Sequence, residues 1–179
     1  MLHKRQNNFI GVCSKCATDY SCCHETMPPI TDERRKIIET YLRKKRIHIE
    51  NPFVITDYVF PRLDVDGYCV FHDRQTRKCK IHSVKPETCV AGPITFDING
   101  KNAKIEWHIK MQKICQLAGV VYANKSLLQK HLEAAKKEIR RLVDEIDSSA
   151  LKAILKKDEP ETFKIDEERI RKDITSKVV

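Results

Sequence analysis

The sequence predicts an α+β fold: a small metal-stabilised cysteine-cluster domain with short strands, a β-hairpin and helices, followed by a long C-terminal helix. Three observations lead there. Cys13, Cys16, Cys22 and Cys23 place four of the eight cysteines within eleven residues, a density that marks a ligating segment rather than a core. The stretch from Thr95 to Trp107 alternates around Asn99-Gly100, the signature of a hairpin. From Lys125 to Asp147, Leu128, Leu132, Ala135, Ile139, Leu142 and Ile146 recur by alternate steps of four and three, a narrow apolar seam of heptad type.

A chain of 179 residues accommodates one domain with an appendage. The divisions read as 1–123 for the cysteine-cluster domain, 124–157 for an amphipathic helical appendage and 158–179 for a charged tail, mobile or loosely docked. With 41% hydrophobic and 33% charged residues the chain is neither disordered nor fibrous; it fits a small core under a heavily solvated surface. Residues 1–8 are polar with no apolar segment behind them, and no run approaches the roughly 18 apolar residues of a membrane span. The chain therefore reads as cytoplasmic, without membrane contact, and in that reducing compartment eight thiols favour metal ligation over disulfides. The net charge of +9 lies mostly in residues 1–123, where 20 Lys and Arg face 13 Asp and Glu. Cations balancing anionic thiolates explain that excess better than cations gripping phosphates.

Taken in order, Cys13 and Cys16 form a C-x2-C knuckle, whose two intervening residues turn the backbone so that two sulfurs reach one metal. Cys22 and Cys23 are adjacent; in an extended segment their side chains diverge, so they are not expected to bind the same single ion. Pro28-Pro29 enforces an extended connection. Thr31 then caps a helix with Asp32 and Glu33 in its first turn and Ile37, Ile38, Tyr41 and Leu42 as its buried stripe. The run Arg43 to Arg46 reads as a solvated end compensating the helix dipole, ahead of a nucleic-acid contact.

From Phe53 to Phe71 the composition favours short strands flanking Cys69, with turns at Asp66-Gly67 and over residues 73–78 before Cys79. Pro86 opens a single helical turn that presents Cys89. Asn99-Gly100 predicts a type I′ turn, and Phe96, Ile98, Ile105 and Trp107 one buried face, making Trp107 core rather than a stacking platform. Cys115 falls in a short helical pattern over 110–119 with Gly119 as its C-cap.

The candidate metal ligands are Cys13, Cys16, Cys22, Cys23, Cys69, Cys79, Cys89 and Cys115. His24, His72, His82 and His108 lie near cysteines or the hairpin and add candidate nitrogen ligands, His24 and His82 foremost. No Gly-rich phosphate loop, G-x-S-x-G or H-E-x-x-H occurs, so the usual equipment for nucleotide binding, serine hydrolysis and zinc proteolysis is missing. The spacing Cys69-x9-Cys79-x9-Cys89 matches neither ferredoxin runs nor zinc ribbons and leaves iron-sulfur and zinc both open.

Several segments together resemble the YkgJ-like cysteine-cluster family of zinc- or iron-chelating proteins, sometimes described as containing an iron-sulfur cluster. They are the C-x2-C with Cys22-Cys23, Pro29 to Glu33, Gly67-Tyr68-Cys69-Val70-Phe71, Cys79-Lys80-Ile81-His82 and Lys85-Pro86-Glu87-Thr88-Cys89, spanning about residues 10 to 115. The chain departs from the family at Lys85, His82 and Val90, where the family commonly has arginine, tyrosine and arginine; no thiol is lost. The resemblance implies chelation through the cysteines, with a 4Fe-4S type of iron-sulfur cluster favoured and zinc the alternative. The competing functions are a structural zinc module binding nucleic acid or protein and, by analogy with flagellin lysine-N-methylases, a cluster-dependent protein-modifying enzyme. A protein partner is preferred to nucleic acid, and the helical seam allows a monomer or a weak helix-mediated dimer.

Overall fold

The computed structural model describes residues 22–157 and 161–178. Cys13 and Cys16, and with them the C-x2-C knuckle, lie outside the described residues.

Helix α1 (Asp32–Lys45) starts where the sequence places it, with the Thr31 hydroxyl accepting from the Arg34 amide at 3.1 Å and Asp32 and Glu33 in the first turn. It stops at Arg46, which turns left-handed at φ 54°. Its buried row is Arg34, Ile38 and Leu42. The expected stripe is thus rotated: Ile37 is 37% exposed and a cation takes the inner position, because a polar network awaits it.

Short strands follow. β1 (Phe53–Ile55) pairs with β2 (Val59–Pro61), and β3 (His72–Asp73) with β4 (Lys78–Cys79), both antiparallel. Tyr68 to Phe71 was expected as strand but makes only bridges, His24 to Tyr68 and Leu63 to Cys69. The Asp66-Gly67 turn is present, with Gly67 at φ 81° and its amide on the Asp64 carbonyl at 3.1 Å. A side chain at Gly67 would also press on the His24 ring at 3.2 Å. After a 3-10 turn over His82–Val84 comes the expected single turn, α2 (Glu87–Ala91), opened by Pro86 and carrying Cys89.

The hairpin pairs β5 (Ile94–Asn99) with β6 (Lys104–Lys110). Its inner face is Ile94, Phe96, Ile98, Ile105, Trp107 and Ile109, all buried. The connection differs from the expected two-residue turn: pairing ends at Asn99 and Lys104, the Asn99 side chain accepts from the Asn102 amide, and Ala103 supplies the positive φ of 50°. An asparagine side chain that closes its own loop competes with the tighter turn.

Cys115 is the N-cap of α3 (Gln116–Tyr122), and Gly119 lies inside this helix rather than at its end. There a Cβ would meet the Gln112 side chain at 2.6 Å, which gives the glycine a packing role. Helix α4 (Lys125–Glu145) is capped by Asn124, and Asp147 caps α5 (Ser148–Leu155). Residues read as a charged tail contribute β7 (Thr162–Arg169), antiparallel to β6 as the third strand of the sheet, and α6 (Lys172–Val178).

Two cores result. The larger joins the hairpin face to Leu132, Ala135, Ile139 and Leu142 of α4 and to its C-cap Ile146, so the heptad-type seam is spent inside this chain. The smaller joins Ile30, Ile38, Leu42, Phe71 and Ile81, with Cys69 and Cys79 packed against it.

Candidate metal centre

Four segments carry the described thiols. Cys22 and Cys23 sit in a turn, Cys69 follows the Gly67 turn, Cys79 ends β4 opposite His72, and Cys89 is the third residue of α2. The Cys69 amide donates to the Cys23 carbonyl at 2.8 Å and so ties the first two segments together. Cys115 is half-buried against the larger core. The expectation that Cys22 and Cys23 diverge is corrected: they occupy a turn, not an extended strand, and their sulfurs are hydrogen-bonded to each other.

Cys23 donates that bond, and it holds the thiol of the exposed Cys22 down; the cations Lys110 and Lys85 add to the effect. The same bond, then burial, then the charges of Cys22, Cys89 and Cys79 push Cys23 up. Cys69 is raised to about 11 by burial, with Cys79 and Cys22 contributing. Burial is also the main cause at Cys79 and Cys89, where the negative charge of Cys22 adds and Lys85 opposes. Cys22, Cys23, Cys69, Cys79 and Cys89 thus influence one another as one group.

Backbone amides oppose these rises. That of Phe71 donates to the Cys69 sulfur and that of Ile81 to the Cys79 sulfur, while the His72 amide, hydrogen-bonded to the Cys69 carbonyl at 2.8 Å, adds a smaller lowering effect on the Cys69 thiol. Amides two and three residues beyond a cysteine favour its thiolate form, which is the form that binds metal. These donors and the nearby Lys85 and Lys110 were missed from sequence. A backbone donor leaves no side-chain signature, although Lys85 stands close to Cys89 in the chain.

The histidines separate. His24 contacts the Asp66 carbonyl at 3.1 Å and lies against the Tyr68 ring, while His72 stacks on that ring at 5.3 Å with burial lowering its pKa. His82 is lowered by burial and by Lys85, and His108 faces Glu106 at 3.7 Å. Among the described residues no group of three or more His, Cys, Asp or Glu side chains is arranged so that it could hold a metal ion. The donor set nevertheless suits a thiophilic metal: soft sulfurs, amides aimed at two of them and two cations nearby. A separate cleft of about 490 Å³, lined by residues including Arg62, Asp64, His72 and Lys80, carries charges of both signs and is lined by no cysteine. No helix among the described residues is long and apolar enough to cross a membrane.

No solved structure matches this chain. It is similar to the uncharacterized protein MJ0661 of Methanocaldococcus jannaschii, 26% identical over 112 residues, which is 62% of this chain and 59% of that protein. The chain thus spans about three fifths of the length of the curated relative it matches. A family model described as "Putative zinc- or iron-chelating domain" matches residues 12–116, from just before the C-x2-C to just past Cys115, and the chain belongs to this CxxCxxCC, YkgJ-like family.

Proposed function

We propose that the protein holds an iron-sulfur cluster through its clustered cysteines in the cytoplasm. The observation that carries this reading is the gathering of five thiols from four segments: the Cys69 amide donates to the Cys23 carbonyl at 2.8 Å, and Cys79 and Cys89 lie near enough to feel the charge of Cys22. A tetrahedral zinc ion takes only about four ligands, and Cys13, Cys16 and Cys115 are further donors. A polynuclear cluster has several irons over which such a surplus can be spread. Cys69, Cys79 and Cys89 with Cys22 or Cys23 would supply the thiolates. The amides at Phe71, His72 and Ile81 would stabilise sulfur charge, and Lys85 and Lys110 would offset the net negative charge of a bound cluster. When bound, such a cluster supplies one-electron chemistry for transfer or sensing.

The test is anaerobic purification with iron and sulfide available during expression. The expected result is a brown protein with iron and acid-labile sulfide. Stoichiometric zinc with no visible absorption would replace this reading by a structural zinc module. Burial of the α4 seam in its own core favours a monomer over a helix-mediated dimer, and a protein partner remains preferred to nucleic acid.

A further inference from the structure

The helix that carries Cys89 is too short to hold itself. Five residues close one turn, and a single turn fixes several dihedrals for little hydrogen bonding, so isolated turns of this length do not persist in water. Its anchors come from elsewhere. At its start the Thr31 hydroxyl donates to Glu87 Oε1 at 2.7 Å, and Arg34 donates to the Lys85 carbonyl at 3.1 Å. Arg34 also pairs with Glu138 of α4, and its Nε lies 3.6 Å from Glu87. At its end His131 of α4 donates to the Gly92 carbonyl at 3.0 Å.

Two of the three charged groups in this network are deeply placed, Glu87 at 0% and Arg34 at 7% exposure. A buried ion pair gains little stability over apolar residues of the same volume, so packing alone does not account for it. Its geometry does something apolar contacts cannot: it fixes the turn by direction as well as by distance. Residues two apart on a helix do not face the same way. With the Glu87 side chain held by Thr31 and Arg34, and Arg34 in turn paired with Glu138 of α4, Cys89 is held at a set orientation on another side of the turn.

We propose that Thr31, Arg34, Glu87 and Glu138, with His131, form a positioning device that holds Cys89 within the thiol group. Arg34 is its centre, because its guanidinium reaches the backbone before α2 and the acids of two other elements at once. This role rests on the chelating reading and acts through Cys89.

The experiment is alkylation of the full-length protein as purified, with the rate at each cysteine read by mass spectrometry and the metal content of the same samples measured separately. Arg34→Met should raise the Cys89 rate about tenfold, the factor that about 1.4 kcal/mol of lost local restraint produces, while Cys69 and Cys79 stay within about twofold. Arg34→Lys, which keeps the charge but loses the fork, should fall between Met and wild type. Glu138→Gln, a milder change at the edge of the network, gives the same readout should Arg34→Met fail to fold. An unchanged Cys89 rate, or a rise shared equally by Cys69 and Cys79, overturns the proposal. Wild-type protein that holds no metal would sink the chelating reading while leaving the Cys89 comparison intact.

Discussion

Cys69 illustrates how burial and the backbone act in opposite directions on one proposed ligand. Burial raises its thiol to about 11, yet the Phe71 amide already donates to its sulfur. Near neutral pH it is protonated, so a bound metal must displace that proton and affinity should rise with pH. Potentiometric titration of metal-free protein with zinc should record acid release; uptake with no proton released would contradict the assignment. The linkage to folding has the opposite sign. A thiol whose folded pKa exceeds its ordinary value of 9 binds more protons folded than unfolded between about pH 9 and 11. Its stabilising effect is complete below pH 9 and is lost as pH rises through 11, with a slope of about 1.4 kcal/mol per pH unit for one group. The urea midpoint of metal-free protein should therefore fall between pH 8.5 and pH 10.5, as pH values of about that range span the titration. A flat or rising midpoint would contradict the burial of this thiol.

Among the elements, α1 and the hairpin show opposite sources of stability. Thr31 caps α1 and also donates to Glu87 Oε1. Thr31→Ala should cost about 2–4 kcal/mol, the sum of a lost cap and a buried acceptor left without its donor, whereas Thr31→Ser should cost well under half as much. Equal urea midpoints for the two variants would show that the hydroxyl is not what matters. In the hairpin and α4 the forces are apolar. Ile139 is fully buried in the larger core, and Ile139→Ala should cost about 2–5 kcal/mol by denaturant unfolding, with no change in the alkylation rate of Cys69. Residues 162–169 take their place by charge as well as by packing: Asp166 meets Lys136 at 2.7 Å, and Glu168 meets Arg140 at 2.7 Å. Phe163 adds an edge contact with Tyr122 at 5.0 Å.

At the scale of the whole molecule the two cores divide the consequences of metal loss. Cys69 and Cys79 pack on the smaller core, while Trp107 and the α4 seam belong to the larger. Removing metal should lower hydrogen-exchange protection around Phe71 to Ile81 and along α1, while amides of Ile94–Asn99 and of α4 keep theirs. Near-UV circular dichroism from the buried Trp107 should persist on the same grounds. Simultaneous loss of protection in both regions would mean that the polar network between α1, α2 and α4 couples them into one cooperative unit.

Much of this protein was legible in its sequence because the signals are local. The N-cap at Thr31, the Gly67 turn, the proline-opened turn at Cys89, the hairpin face and the α4 seam each depend on a few neighbouring residues whose side chains and backbone preferences act at short range. The α+β class and the choice of cysteines as candidate ligands followed from those signals. Tertiary structure alone decided what depends on distant partners. Arg34 replaced Ile37 in the buried row because Glu87 and Glu138 lie opposite it, and the turn at Cys22 and Cys23 is tied down because the Cys69 amide donates to the Cys23 carbonyl. Residues 162–169 became a strand because β6 offered an open edge and α4 offered cations. No local pattern encodes a partner some 30 to 100 residues away, since its effect appears only once chain entropy has been overcome and the surfaces have met.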